Sequence, residues 1–252
     1  MSAQVGTVEQ STAAVPFVDL RPQTDAVRAA IAADLERLLD SGAFVNGPAV
    51  TAFEEAFAAA CGRHRCGGVA SGLDALRLAL IAAGIAPGDE VVVPAMTFVA
   101  SFEAVVQAGG TPVPVDVRDD DVGLDVAALE ATCSPRTRFV MPVHLYGQLV
   151  DVVALRDAAA RHDLAVIEDA CQAHGASRDG IGAGTLGLAA AFSFYPTKNL
   201  GAWGDAGAIV TDDETLASRV RSLREHGQTH RYHAAEVGYT ARLDALQAVV
   251  LT

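Results

Sequence analysis

Lysine is nearly absent from this chain of 252 residues: seventeen of its eighteen basic residues are arginine, and Lys198 is the only lysine. The bias is typical of an arginine-favouring codon usage, so the single lysine that is retained is a candidate for a specific role. Acidic residues outnumber basic ones, and the formal net charge is −13 at pH 7. This charge argues against nucleic acid and anionic membrane surfaces as main partners, although a local cationic pocket can still bind an anionic substrate.

Long apolar runs are missing too, and none approaches the roughly 20 residues of a transmembrane helix. The polar tail over residues 1–15 has no basic segment followed by an apolar one, so we expect no signal peptide. The four cysteines, Cys61, Cys66, Cys133 and Cys171, have neither zinc-type nor redox-type spacing. We therefore expect reduced thiols in a cytoplasmic protein, and no metal site.

What the chain does have is a regular alternation of short strands and longer helices. Apolar residues make up 51% and charged residues 19%, a composition typical of a globular protein. Prolines in the predicted strand at 111–117 indicate a sheet edge. Over residues 16–252 the alternation predicts an α/β fold with a mostly parallel sheet flanked by helices. The predicted helices cover 25–39, 50–60, 73–83, 97–108, 152–161 and 213–224, and the predicted strands cover 90–93, 111–117, 139–143, 164–168, 190–194 and 208–211.

Ligands of such sheets bind beyond the carboxyl ends of the strands, so the residues that follow each strand are the candidate site residues. Ser71-Gly72-Leu73-Asp74 opens a helix, and the free N–H groups of a first turn bind anions where glycine allows a close approach. An ordinary strand-to-helix turn explains the same residues. Phe98 follows the next strand and can stack on a flat ring, or it can belong to the core.

An acidic pair, Glu168-Asp169, ends a very apolar strand and places Asp169 at the mouth of the site. Period-two alternation puts Cys171 on the same side of the chain if the extended conformation persists. A carboxylate at this place can keep the ring nitrogen of a pyridine cofactor protonated, as an electron sink requires. A helix N-cap is the competing interpretation of Asp169. His144, at the end of another strand, either orients Asp169 or the cofactor or is structural.

Lys198 follows the strand at 190–194 and precedes a glycine-rich turn at 201–207. A lysine between an aromatic strand and a tight turn is not a typical solvated surface lysine. Partly buried amines of this kind form Schiff bases with carbonyl groups. Ser193, on the same strand, can donate to a phosphate.

Six strings of the sequence resemble one family. In order, they are SGLDALRLAL, GDEVVVPAMTF, PVHLYGQ, VIEDACQAHGA, FSFYPTKNLGAWGDAGAIVT and RLDALQA. They closely resemble the DegT/DnrJ/EryC1/StrS sugar aminotransferases, which are fold-type I pyridoxal-phosphate enzymes. The resemblance runs from about Pro16 to the last residue, and the order of the motifs makes it far more specific than any one of them.

The resemblance implies roles for the residues around the cofactor ring. Lys198 forms the Schiff base with pyridoxal 5′-phosphate, and Asp169 pairs with the pyridine nitrogen. Phe98 and Cys171 pack against the two faces of the ring, and Gln172 contacts its 3-hydroxyl group. Cys171 stands where alanine is commoner in the family, a small change that the site should tolerate.

The resemblance also implies the phosphate contacts and a homodimer with shared active sites. Ser193 and the backbone of Gly72 and Leu73 hold the phosphate. Leu73 stands where many members have threonine, so only backbone contacts remain there. Thr240 stands where an asparagine usually reaches the phosphate of the neighbouring subunit, and its hydroxyl is a weaker substitute.

The end of the chain departs most from the family pattern. Family members continue well past the string LDALQAVVL into a small C-terminal domain that closes over the substrate. This sequence stops at Thr252, inside the helix expected there. We therefore expect a truncated large domain without the small one, and an interrupted apolar helix that leaves core surface exposed.

Two further patterns are set aside. Residues 182–187 match the dinucleotide fingerprint G-x-G-x-x-G, but a turn precedes them where that motif needs a strand, so we reject it. His226, His230 and His233 have metal-like spacing without an acidic or cysteine partner, which favours a solvated loop.

The expected function is transfer of an amino group to a nucleotide-linked keto-deoxysugar, with L-glutamate as the donor that the resemblance implies. The strings SGLDAL and HLYGQ resemble members that act on dTDP-linked 3-keto-6-deoxysugars more than 4-keto enzymes, whose first motif more often reads SGT. Besides a 4-keto enzyme, two alternatives stay open. A dehydratase on the same scaffold carries histidine at the lysine position, and Lys198 argues against it. A non-catalytic remnant that binds the cofactor is the other alternative, and the early end of the chain favours it.

Overall fold

The computed structural model describes residues 15–252, so the predicted tail at residues 1–15 lies, apart from its last residue, outside the described residues. The helices are α1 (Arg21–Ser41), α2 (Pro48–Ala60), α3 (Gly72–Ala82), α4 (Ala100–Gln107), α5 (Val126–Thr132), α6 (Val152–Arg161), α7 (Glu214–Arg224) and α8 (Ala245–Leu251), with a 3-10 turn at Leu145–Gly147. The strands are β1 (Arg65–Val69), β2 (Glu90–Pro94), β3 (Thr111–Val115), β4 (Thr137–Val140), β5 (Ala165–Asp169), β6 (Ser177–Arg178), β7 (Ile181–Gly182), β8 (Ala189–Ser193), β9 (Gly207–Thr211), β10 (Gln228–His230) and β11 (His233–Ala234). None of the helices in this part of the chain is long and apolar enough to cross a membrane.

Seven strands form one sheet in the order β1-β9-β8-β5-β4-β2-β3. The run from β8 to β3 is parallel, and β9 is antiparallel to both of its neighbours. The prediction of a mostly parallel sheet is therefore confirmed. β3 is an edge strand, as predicted, because its Pro112 and Pro114 have no N–H group for a second neighbour.

Helices cover both faces of this sheet, because successive strand residues point to opposite sides. On β5, Val166 packs in an apolar cluster with α1, α2, α6 and α8, whereas Ile167 packs in a second cluster with α3, α4 and α7. β2, β8 and β9 are buried along their whole length, which explains their continuous apolar sequences. The strand ends that carry the candidate site residues are therefore held rigidly from both faces.

Three helices depart from the predicted pattern, and the first is α1, which begins at Arg21, four residues earlier than predicted. α4 begins at Ala100, three residues later than predicted, so Thr97 and Phe98 belong to the loop that leads from β2. α5 was not predicted, because its seven residues are too few for an apolar period to stand out. A cap starts this helix: the Asp125 carboxylate accepts a hydrogen bond from the amide of Ala127 at 2.9 Å.

The end of the chain also differs from expectation. α8 packs against α1 and α2, and Val249, Val250 and Leu251 are each less than a tenth exposed. The expectation that this helix leaves core surface exposed is therefore wrong. Its apolar side chains are covered by the two helices that begin the described structure.

Candidate active site

The carboxyl ends of the parallel strands open into a cavity of about 380 Å³. Eight of the nine predicted site residues line it, namely Gly72, Leu73, Phe98, Asp169, Cys171, Gln172, Ser193 and Lys198. The other lining residues, which the sequence did not single out, include Val143, Leu145, Tyr195, Thr197 and Asp205. A larger, more open depression of about 710 Å³ lies near the amino ends of the strands, around Arg138 and Arg156, and contains none of the predicted residues. The smaller cavity is therefore the candidate active site.

One end of the cavity is built to receive an anion. Ser71 caps α3 by accepting a hydrogen bond from Asp74 N at 3.1 Å, so the next free N–H groups are those of Gly72 and Leu73. The Ser193 hydroxyl comes from β8 on the opposite side of this helix end. A Cβ added at Gly72 would lie 2.6 Å from the Ser193 Cβ and 3.0 Å from the Cys171 sulfur. Glycine is therefore required here for space.

The other end of the cavity carries Asp169, a residue that is only 6% exposed. Its Oδ2 accepts a hydrogen bond from the Ser101 hydroxyl at 2.7 Å, and its Oδ1 accepts one from Cys171 N at 3.2 Å. The N-cap interpretation of Asp169 is wrong, because no helix begins there. Sequence reasoning missed Ser101, which lay in the middle of a predicted helix with no motif around it.

The walls between these two ends are apolar. Phe98 is 67% exposed, so the interpretation of this ring as a core residue is wrong. Burial raises the pKa of the Cys171 thiol well above its usual range, and the nearby Asp169 carboxylate adds to the rise, so the thiol is a neutral wall. The side-chain oxygen of Gln172 accepts a hydrogen bond from Tyr146 N at 2.9 Å, which leaves the Gln172 amide nitrogen as a free donor.

Lys198 lies in a tight turn between β8 and β9. Its own N–H group donates to the carbonyl of Tyr195 at 2.8 Å, and Ala202 N donates to the carbonyl of Phe194 at the same distance. A Cβ at Gly201 would lie 2.4 Å from the carbonyl oxygen of Pro196, so the turn closes only with glycine at that position. The turn holds the Lys198 side chain, which is half-buried, at the wall of the cavity.

A second carboxylate, Glu168, lies beside Asp169 in sequence but outside the cavity. It is fully buried and accepts hydrogen bonds from three main-chain N–H groups of the segment 184–187 at 2.8–3.0 Å. The segment that matches the dinucleotide fingerprint thus donates its main-chain hydrogen bonds to Glu168 of the same chain. The ring of His144 lies 3.0 Å from the same carboxylate and not against that of Asp169, which supports the structural interpretation of His144.

Thr240 is the one predicted site residue that lies outside the cavity. It is exposed, and its hydroxyl is 3.3 Å from Nε2 of His226. Its contact with the site of a partner subunit stays a prediction.

His230 and His233 stack with ring centroids 4.1 Å apart on the exposed β10–β11 hairpin, and residues 15–252 contain no group of three metal-ligating side chains.

Comparison with known proteins places this site in a family context. The model of the DegT/DnrJ/EryC1/StrS aminotransferase family matches residues 25–252. The dTDP-3-amino-3,4,6-trideoxy-alpha-D-glucose transaminase of Streptomyces venezuelae is 49% identical over 240 residues, which are 95% of this chain and 63% of that protein. The UDP-N-acetyl-3-dehydro-alpha-D-glucosamine 3-aminotransferase of Acidithiobacillus ferrooxidans is 46% identical, over 94% of this chain and 64% of that protein.

A solved structure is similar along nearly the whole chain as well. The crystal structure of NtdA from Bacillus subtilis with bound cofactor PMP has a TM-score of 0.89 at 34% identity. The match covers 96% of this chain and 56% of that one. The chain therefore spans less than two thirds of the length of each of these three relatives.

Proposed function

The chain belongs to the DegT/DnrJ/EryC1/StrS aminotransferase family, and on that premise we propose that it acts as a pyridoxal-phosphate-dependent aminotransferase of nucleotide-linked keto-deoxysugars. The observation that carries the proposal is the convergence of a lysine, a buried carboxylate and a helix N-terminus on one cavity. These three groups match the aldehyde, the ring nitrogen and the phosphate of the cofactor. The proposal treats residues 16–252 as the cofactor-binding large domain.

The residues present fit this cofactor from end to end. The Gly72 and Leu73 amides and the Ser193 hydroxyl would hold its phosphate, because a helix N-terminus and hydroxyl donors favour anions. The missing Cβ at Gly72 leaves the space for this approach. Asp169 would accept a hydrogen bond from the protonated ring nitrogen with the lone pairs that Ser101 and Cys171 leave free.

The side walls of the cavity complete the fit. Phe98 and Cys171 would pack on the two faces of the ring. The free amide nitrogen of Gln172 would donate to the oxygen of the 3-hydroxyl group.

Lys198 is the proposed catalytic base. The bound cofactor would supply an electron sink next to the carbon that loses its proton. The amine of Lys198 would hold the cofactor covalently until an amino-acid donor displaces it. The released amine would take the α-proton of the donor and return it to the cofactor carbon that Lys198 had held, because an amine released there would be close to both carbons. The reverse sequence of proton transfers aminates the keto-sugar.

We propose a dTDP-linked 3-keto-6-deoxysugar as the acceptor and L-glutamate as the donor. The names of the Streptomyces venezuelae and Acidithiobacillus ferrooxidans relatives both place the amino group at position 3 of the sugar, which supports amination at that ring carbon. We also propose a cytoplasmic homodimer with shared active sites, in which Thr240 reaches the partner's phosphate site. Exposed aromatic rings around the cavity, those of Phe98, Tyr146 and Tyr195, are the kind of surface that a second copy covers.

Covalent trapping tests the role of Lys198. Purified protein is incubated with pyridoxal phosphate and reduced with borohydride, and the peptides are then weighed by mass spectrometry. We expect the cofactor's mass on the Lys198 peptide and the loss of visible absorption in Lys198→Ala. Ser222→Ala, on α7 away from the cavity, is the control and should be labelled as the wild type is. An unlabelled Lys198 peptide would overturn the proposal.

Turnover separates the proposed enzyme from its alternatives. The trapped protein is supplied with L-glutamate and either the 3-keto or the 4-keto nucleotide sugar. Amination of the 3-keto sugar supports the proposed substrate, and amination of the 4-keto sugar overturns it. The competing function is a remnant that binds cofactor without turnover. Trapping without either product would establish that remnant.

A further inference from the structure

A chain of two hydroxyl groups ends on the carboxylate of Asp169. The Ser101 hydroxyl lies 2.7 Å from Asp169 Oδ2, and the Thr97 hydroxyl lies 2.7 Å from that of Ser101. Ser101 is fully buried in the first turn of α4, whereas Thr97 is only partly buried and lines the cavity. The chain thus runs from the wall of the cavity to the back of the carboxylate.

The chemistry of the three groups fixes the direction of the hydrogen bonds. An ionised carboxylate only accepts, so the single hydrogen of Ser101 is used on Asp169. The Ser101 oxygen must then accept from Thr97, whose own hydrogen is used in turn. Each hydroxyl is therefore committed to one orientation, and each bond strengthens the next because the acceptor becomes more polarised.

This pair of hydrogen-bonded hydroxyl groups restrains Asp169 from the side opposite its main-chain contact. Oδ1 is held by Cys171 N at 3.2 Å, a long bond, so the shorter bond from Ser101 is the stronger restraint on the rotation of the carboxylate. Ser101 lies on α4, which follows β2, whereas Asp169 is the last residue of β5, and β4 separates these two strands in the sheet. The bond therefore couples the loop of Phe98 to the strand of Asp169.

We infer that Ser101, oriented by Thr97, is a positioning residue that aims the Asp169 carboxylate at the ring nitrogen of the cofactor. The inference rests on the proposed function, because it assigns the cofactor's nitrogen to Asp169. Neither hydroxyl touches the reacting atoms. Their effect is to keep the acceptor in place before the cofactor arrives, so that binding does not have to order it.

Binding of pyridoxamine 5′-phosphate tests the inference without the covalent bond to Lys198. The fluorescence of Trp203, the single tryptophan of the chain, reports the titration. We expect Ser101→Ala to weaken binding about tenfold and Thr97→Val about threefold, as for loss of a hydrogen bond to a charged group and of its neighbour. Thr97→Ser keeps the hydroxyl and should bind as the wild type does.

The double variant Ser101→Ala/Thr97→Val gives the sharpest result. Thr97 acts only through Ser101, so the second change should weaken binding no further once the first is made. Ser222→Ala is the matched control, because Ser222 is a buried serine whose hydroxyl has no partner in residues 15–252. Benzyl phosphate, which has the phosphate but no ring nitrogen, should bind the wild type and the two single variants equally.

Three results overturn the inference. The first is unchanged affinity for pyridoxamine phosphate in both single variants, while the wild type binds it. The second is an additive double variant, or a Thr97→Ser variant as weak as Thr97→Val. The third is a wild type that binds no pyridoxamine phosphate, which also overturns the proposed function. Thermal unfolding of each variant separates loss of binding from loss of the fold.

Discussion

At the scale of single residues, the site depends on the space left free around Gly72. An added Cβ would meet the Ser193 side chain at 2.6 Å, closer than two such atoms can approach. We expect Gly72→Ala to weaken cofactor binding at least about tenfold and to lower the free energy of unfolding by about 1–3 kcal/mol through overpacking. Cofactor titration and chemical denaturation measure the two effects.

A glycine with open space around it is the control for this change. Gly182 has no atom within 4 Å of an added Cβ and no positive φ, so Gly182→Ala should change neither quantity. If Gly72→Ala binds cofactor as well as Gly182→Ala does, the phosphate is not held at this helix end.

Some site residues could be predicted from the sequence and others could not. Asp169 and Lys198 follow apolar strands, and the carboxyl ends of parallel strands meet at one edge, so their proximity follows from the pattern. Ser101 gave no such signal, because a serine inside a predicted helix is ordinary. The sequence also did not predict that Glu168 accepts hydrogen bonds from the amides of segment 184–187, because the two are brought together only in the folded chain.

At the scale of elements, α8 supports the turn that carries Lys198. The side-chain oxygen of Gln247, buried on α8, accepts a hydrogen bond from Trp203 N at 2.9 Å. The Gln247 amide also lies against Gly204, where an added Cβ would be 2.9 Å from its nitrogen. The helix that ends the described chain is therefore a neighbour of the proposed catalytic turn.

Removing this support should loosen the turn without touching the cavity. We expect Gln247→Met, which keeps the size of the side chain, to cost about 1–3 kcal/mol of stability because it leaves a partly buried N–H group unpaired. It should also shift the emission of Trp203 and slow the trapping of cofactor at Lys198. Fluorescence and timed borohydride reduction measure these effects.

Gln228→Met is the matched control for this helix. Gln228 makes the same kind of bond, to Tyr232 N at 3.0 Å, but in the exposed hairpin of β10 and β11. Equal trapping rates for the two variants would mean that α8 does not position the turn.

Helices and strands could be predicted from the sequence where one face, or the whole element, is buried, because burial leaves an apolar pattern. α6 was predicted with its observed bounds, because its apolar stripe repeats over ten residues and Asp151 caps it. β3 was placed at the edge by its prolines. α5 was missed because a cap, and not an apolar period, defines it. α4 was predicted to begin three residues too early, because residues 97–99 continue the apolar pattern of a helix, while Thr97 and Phe98 line the cavity.

At the scale of the whole molecule, we expect His174 to make the fold sensitive to acid. Its ring lies beside Phe192 and Phe194, with centroids 5.4 Å from each. Burial lowers the pKa of His174 to about 4. A main-chain contact at Ser193 raises this pKa in part, and the charge of Lys198 lowers it further. The imidazole therefore stays neutral in the folded protein at any pH well above this value.

The pH dependence follows from this difference between the two states. In the unfolded chain His174 takes up a proton near its ordinary pKa of 6.5, so between about pH 6.5 and 4 the unfolded state binds more protons. Stability should fall as the pH drops through this window, by up to about 3 kcal/mol, and the contribution should be constant above it. Denaturation of the wild type and His174→Gln from pH 7 to 4 measures it.

The variant His174→Gln should lose less stability over that window than the wild type does. His64→Gln, which replaces an exposed imidazole, is the control and should parallel the wild type. Parallel profiles for all three proteins would mean that His174 is not what makes the fold sensitive to acid.

The rarity of lysine has a practical consequence for labelling chemistry. Reagents that acylate primary amines find a single side-chain target in this sequence, the ε-amine of Lys198. A molecule that fills the cavity should shield this amine. The acylated fraction of the Lys198 peptide in a mass spectrum should therefore fall as cavities are filled, with no other lysine to complicate the measurement.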